Sequence, residues 1–281
     1  MPEIFQLGFM VRAFIAGGIL GLAAPAIGVF LVLRRLSLVA ETLAHVAITG
    51  AAIGILLGRA PVAVALVTSA TAAILLERLR SSRMLSSDSA LALILYTALA
   101  LALVFISIGG GPNVNLVSYL FGSIVTVSRG DVWATVGLGL LILGMVWLLY
   151  SELLQTTFDA DLARVAGVPV QRVNLVLAIA TGLTVTLSMR IVGGLLVGAL
   201  IVFPVLASLQ LRRGFRATLA VSSLIGIASV FTGLAVSFYF DISASGAIVL
   251  TALGALLLAS GLRRMHERPT RQAPAPAATS D

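Results

Sequence analysis

The chain predicts an all-α, polytopic membrane protein of about nine spanning helices, and three observations carry that prediction. Hydrophobic residues fill 59% of its 281 positions. Charged residues fill only 10%, against roughly 25% in an ordinary soluble domain. Mean hydropathy is +1.12, and the apolar runs recur at a length of about 20 residues, which crosses a hydrocarbon core of about 30 Å. Backbone in lipid must satisfy its own hydrogen bonds, so runs of that length are helices. There is no cysteine, which excludes disulfides, haem thiolates and zinc fingers. A net charge of +7 would suggest nucleic acid in a soluble chain. In this one the basic loops orient the helices, and no nucleic-acid partner is expected. The opening MPEIFQLGF lacks a basic n-region, so no separate secretory signal is expected.

Arg, Pro and Gly punctuation divides the chain into spans at 9–33, 39–58, 61–78, 89–109, 131–151, 173–189, 191–210, 216–239 and 245–262. Ser37 stands at the N-cap of the second, Asp88 in the first turn of the fourth, and Asp131 in the first turn of the fifth. The run 116–127 is too short to cross alone and reads as re-entrant or interfacial. The seventh span carries Gly193, Gly194 and Gly198, which suggest close helix packing, and Pro204, which suggests a kink. The membrane domain is thus 1–262. The Pro/Ala-rich tail 263–281 is expected to be disordered.

Arginine placement orients the bundle. With the loop of Arg78, Arg80 and Arg83 in the cytoplasm, alternation puts 14 of the 18 basic residues inside, leaving Arg12, Arg59, Arg129 and Arg190. The bias obeys the positive-inside rule and implies an outside N-terminus and a cytoplasmic C-terminus. Arg190 then reads as an interfacial, snorkelling residue.

The longest inside loop holds a short amphipathic helix. Phe158-Asp159-Ala160-Asp161 reads as its start, capped by Asp159 or Asp161. Leu162 and Val165 share a face, Arg164 lies in its last turn, and Gly167 fits the C′ position. Such a helix either rests on lipid headgroups or pegs into a partner. The loop is too short for a nucleotide-binding domain and no GxxxxGK[ST] occurs, so an ATP-driven engine must be another chain.

Glu41 and His45 are the residues of greatest chemical interest. They sit at i, i+4 on one helix face in a stretch too apolar to want either. A carboxylate oxygen beside an imidazole nitrogen suits zinc or manganese. The same pair could instead hydrogen-bond and seal a helix contact. His266, the other histidine, lies in the polar tail.

Five blocks in order resemble the permease subunits of bacterial zinc/manganese ABC importers: RRLSLVAETLAHVAITGAAIG (34–54), NLVSYLFGSI (115–124), FDADLARVAGVP (158–169), IVGGLLVGALIVFPVLAS (191–208) and FDISASGAIVL (240–250). The resemblance implies a homodimeric permease in the bacterial inner membrane, two cytoplasmic ABC ATPase subunits, and an extracytoplasmic metal-binding protein that delivers the ion. It implies no permanent cofactor, only a transported Zn2+ or Mn2+, with zinc favoured by the string ETLAHVA. It makes Glu41 and His45 metal contacts, with Glu where the family more often has Asp. It makes Asp241 a weaker candidate, without the histidine that some manganese-type members pair with it. Phe158, Asp159, Asp161, Leu162, Arg164 and Gly167 become the ATPase-coupling helix.

Two other classes compete. An ion-coupled secondary transporter calls for several charged midplane residues, and only Glu41 and, less surely, Asp241 qualify. A membrane metalloprotease calls for HExxH, and the chain has a lone ExxxH.

Overall fold

A computed structural model describes residues 6–82, 85–109, 114–123, 127–194 and 196–266. Residues 124–126 of the short apolar run and 267–281 of the tail lie outside the described residues. Twelve helices and no strands occur among the described residues. They are α1 (Gly8–Leu33), α2 (Leu38–Leu56), α3 (Pro61–Ser81), α4 (Ser87–Ile108), α5 (Val114–Phe121), α6 (Arg129–Leu148), α7 (Tyr150–Phe158), α8 (Ala160–Val165), α9 (Val170–Ser188), α10 (Val197–Gln210), α11 (Phe215–Phe240) and α12 (Ala244–His266).

Eight of these are long and apolar enough to cross a membrane, and each falls on a predicted span. The remaining predicted span, the seventh at 191–210, differs. Its helix begins only at Val197 and runs 14 residues, a rise of about 21 Å. The preceding residues form a buried irregular turn in which Gly193 has φ +82°. This turn lies backbone-to-backbone on α5 and the turn after it. The Gly194 N–H donates to the Tyr119 carbonyl at 2.9 Å, and the Ser123 N–H donates to the Arg190 carbonyl at 3.0 Å. A Cβ at Gly193 would stand 2.6 Å from the Phe121 carbonyl carbon. Eight residues make α5 about 12 Å long, too short to cross. Irregular backbone at membrane depth is tolerated only where protein covers it, and here the two segments cover each other.

The last helix also departs from expectation. It continues through His266, so residues 263–266 of the predicted tail form a further helical turn. Arg263 there donates to Gln210 at 2.8 Å.

Helices α1, α2 and α9 are the most buried. The α1 helix packs against α6, α9, α10 and α11, while α2 packs against α3, α4, α5, α9 and α10. Lipid tails are as apolar as leucine, so close van der Waals contact and hydrogen bonds hold such a bundle. Gly21 of α1 and Gly226 of α11 meet at backbone distance, a Cβ on Gly21 falling 3.0 Å from the Gly226 carbonyl oxygen. The hydroxyl of Thr49 donates to the Ala98 carbonyl of α4 (2.8 Å), and that of Thr186 in α9 donates to Ser69 in α3 (2.9 Å). Such bonds average about 0.6 kcal/mol each.

Candidate functional site

The turn from α1 into α2 sets the site. The Leu36 N–H donates to the Leu31 carbonyl (2.8 Å) and the Arg35 N–H to the Val32 carbonyl (3.0 Å). This is a Schellman closure with Arg35 at C′, φ +58°. Ser37 occupies the N-cap position, as its place in the sequence suggests, but its side chain makes no capping bond.

Glu41 and His45 are the fourth and eighth residues of α2, on the half of the helix nearest this turn. Their neighbours Val39, Ala40, Thr42, Leu43, Ala44, Val46 and Ala47 are buried. In contrast Leu38 and Glu41 are exposed and His45 is half-buried, a narrow stripe on an otherwise enclosed helix. The two do not form an ion pair: those among the described residues join Glu77 to Arg80, Asp161 to Arg164 and Asp131 to Arg190. An oxygen and a nitrogen thus share one face with their lone pairs available. No cluster of three or more His, Asp or Glu occurs among the described residues.

Asp241 is exposed and sits at the C-cap of α11 in the left-handed region, φ +51°. Asp is one of the few residues that tolerate this conformation, so turn geometry alone accounts for it. It lies on a helix that does not feature among the principal packing partners of α2. Gly194 approaches α2 directly, a Cβ there standing 3.0 Å from the Ile48 side chain. Gly193 packs on the C-terminal end of α5, against Leu120 and Phe121, Gly198 has nothing within 4 Å of its Cβ position, and Pro204 lies buried inside α10. A groove of about 410 Å³ between α2, α3 and α4 is apolar apart from Thr49, Thr68 and Thr97. It excludes both Glu41 and His45 and offers a hydrated cation little.

The loop between α7 and α9 forms the predicted short helix, capped at both ends. The Asp159 carboxylate accepts from the N–H groups of Asp161 and Leu162, both at 2.9 Å, a cap of about 1 kcal/mol. Gly167, φ +86°, closes the other end: its N–H donates to the Arg164 carbonyl (3.1 Å), and the Val168 N–H donates to the Ala163 carbonyl (3.0 Å). Arg164 pairs with Asp161 at 2.7 Å. Ala163 is buried against the bundle, whereas Phe158, Leu162 and Val165 are 72%, 67% and 86% exposed. Three apolar side chains thus stand exposed on and just before one short, capped helix. Phe158 also touches Phe215 (ring centroids 6.0 Å apart), which contacts Phe30 and Tyr150.

Three features escaped the sequence. Arg34 read only as an orienting charge. It is half-buried and bonds to Thr156, Thr157, the Leu153 carbonyl and Asn174. Burial lowers its pKa from the usual value to about 10, which leaves it cationic at neutral pH. Glu77, an acid within an apolar span, is buried and paired with Arg80 at 3.1 Å; its charge amid apolar residues was the available signal. Arg190 does not snorkel: it pairs with Asp131 and lies over the Tyr119 ring, 5.4 Å from its centroid. Asp131 also completes a capping box with Ser128.

Comparison with known proteins agrees with this architecture. The chain is 28% identical to a manganese transport system membrane protein, MntC, of Halalkalibacterium halodurans, over 89% of this chain and 86% of that one. It is 30% identical to a high-affinity zinc uptake system membrane protein, ZnuB, of Haemophilus influenzae, over 85% and 91%. Its structure superposes on PsaBC from Streptococcus pneumoniae, solved in complex with Fab, with a TM-score of 0.82 and 28% identity over 92% of this chain and 93% of that one. The profile of the ABC 3 transport family matches residues 6–263. The chain therefore belongs to the ABC 3 transport family and is a multi-pass permease of an ABC transport system.

Proposed function

We propose that this permease carries divalent transition metal ions, zinc foremost and manganese or iron next, into the cytoplasm after delivery by an extracytoplasmic binding protein. The observation that carries the reading is the Glu41–His45 stripe: two metal-type donors with free lone pairs on one face of a buried spanning helix. Relatives named for manganese and for zinc transport support the substrate class. A carboxylate on a lipid-facing surface costs several kcal/mol. A second copy covering the stripe removes that cost, which supports a homodimer with the site along its shared wall. Two donors per chain hold an ion without closing a four-ligand shell, so it can leave again. The absence of a Walker motif and the exposed face of Phe158, Leu162 and Val165 support ATPase subunits docking on α8. The arginine bias supports an outside N-terminus and a cytoplasmic C-terminus.

The test is metal accumulation in cells lacking the gene and supplied with it again. Glu41→Ala and His45→Ala should each reduce zinc accumulation to the background of the empty strain while reaching the membrane at normal level. Full uptake by the double variant would remove the site from the pathway. Uptake that persists without the ATPase partner would replace the ABC mechanism with ion-coupled transport.

A further inference from the structure

Arg34 links the loop that bears the peg to the helix that bears Glu41 and His45. Its Nε donates to Thr157 Oγ1 at 2.9 Å, Nη1 to Asn174 Oδ1 at 2.7 Å, and Nη2 to the Leu153 carbonyl at 3.2 Å and to Thr156 Oγ1. Three of these acceptors belong to the last turns of α7, which ends at Phe158 and gives way to Asp159, the N-cap of the peg. On its other side, Arg34 is joined to Leu38 by only three residues, and these are pinned by the Arg35 and Leu36 backbone bonds to α1. Little slack is left between the α7 end and the first turn of α2.

The bonding is directional rather than ionic. Every acceptor is neutral; Glu77 and Arg80, from the end of α3, act on the guanidinium through space, and Glu77 also shares a side-chain hydrogen bond with its acceptor Asn174. The threonines do not depend on it. Thr156 Oγ1 also donates to the Glu152 carbonyl (2.7 Å), and Thr157 Oγ1 to the Leu153 carbonyl (2.6 Å). When the guanidinium withdraws, these hydroxyls keep a partner and no buried counter-charge is stranded. A contact with intact alternatives on one side can be made and broken repeatedly. Arginine suits the role because its rigid fork engages several acceptors at once, which a lysine cannot reproduce.

We propose that Arg34 is a positioning residue that passes displacement of the α8 peg to the start of α2, and so couples ATP turnover to the exposure of Glu41 and His45. The inference rests on the metal-importer reading above. It is tested on the full complex, with ATPase and binding protein, in phospholipid vesicles, by following zinc uptake and ATP hydrolysis together. Arg34→Met is expected to hydrolyse ATP at more than half the normal rate yet move at least tenfold fewer ions per ATP, with equilibrium zinc binding unchanged. Arg34→Lys is expected to recover only part of the ratio. A normal ratio in Arg34→Met overturns the proposal. Should Arg34→Met fail to assemble, the double variant Thr157→Val, Asn174→Leu decides: it removes two acceptors and should lower the ratio severalfold, and an unchanged ratio overturns the proposal. Loss of ATP-dependent zinc uptake in the wild-type complex would instead defeat the importer reading itself.

Discussion

Beyond one end of α9, the backbone of residues 190–194 lies directly on that of 119–123; near its other end, the polar fastening of the α7 segment runs through one side chain, Arg34, beside the apolar contacts of Tyr150, Leu153 and Phe158. The helix between them has 19 residues, so the junctions stand about 28 Å apart. The first is built from glycines in the left-handed region and from main-chain hydrogen bonds, and any added side chain collides with it. The second is built from one guanidinium and neutral acceptors, two of whose hydroxyls also bond within their own helix. If Arg34 releases as proposed, the main-chain junction is the place about which the bundle pivots.

Substitution can break the fixed junction most severely. Gly193→Val places a β-branched residue at φ +82° with its Cβ in the Phe121 backbone, and should cost at least about 3 kcal/mol. Thermal denaturation in detergent should show a collapse of folded yield; an unchanged melting temperature would mean that the turn relaxes freely. The charged part of the same junction ranks next. Asp131→Asn and Arg190→Met should each cost about 1–3 kcal/mol by stranding a part-buried partner. The double variant should cost at least about 1 kcal/mol less than their sum. Additive losses would show that the pair does not act as a unit. Arg34→Met should cost less stability than Arg190→Met, because its hydroxyl acceptors keep internal partners. The reverse order would invert the contrast between fixed and releasable ends. The smallest effect on stability belongs to the peg: Leu162→Asp should change stability by no more than about 0.5 kcal/mol, since the side chain is 67% exposed. The same change should weaken ATPase association about tenfold in a pull-down titration; unchanged association would assign the peg to the lipid surface.

The spans were legible because composition and run length decide them. The seventh shows where that reading ends. Ile191–Leu196 has the hydrophobicity of a span, and nothing local reports that Gly193 turns left-handed and docks on residues 71–73 positions earlier in the chain. The caps of α8 were legible because Asp159 and Gly167 act on neighbours a few residues away. Arg34 was not, because its partners lie more than a hundred positions along the chain. The Arg190–Asp131 pair was hidden in the same way, across 59 positions. Asp241 stands apart: the family resemblance offers it as a weaker ligand candidate, and its left-handed C-cap position gives an acid there a second, purely conformational reason. Glu41 and His45 stood out for a simple electrostatic reason, since an apolar helix carries such groups only at a cost.

The glycine contact between α1 and α11 constrains how the molecule moves. Shifting either helix by one residue would replace Gly226 beneath Gly21 with a side chain, in a gap that holds none. The two helices are therefore expected to move together as one rigid body. Spectroscopic labels placed one on each should report a constant separation at every nucleotide state, which makes that pair the internal reference frame against which the displacement of α2 can be measured.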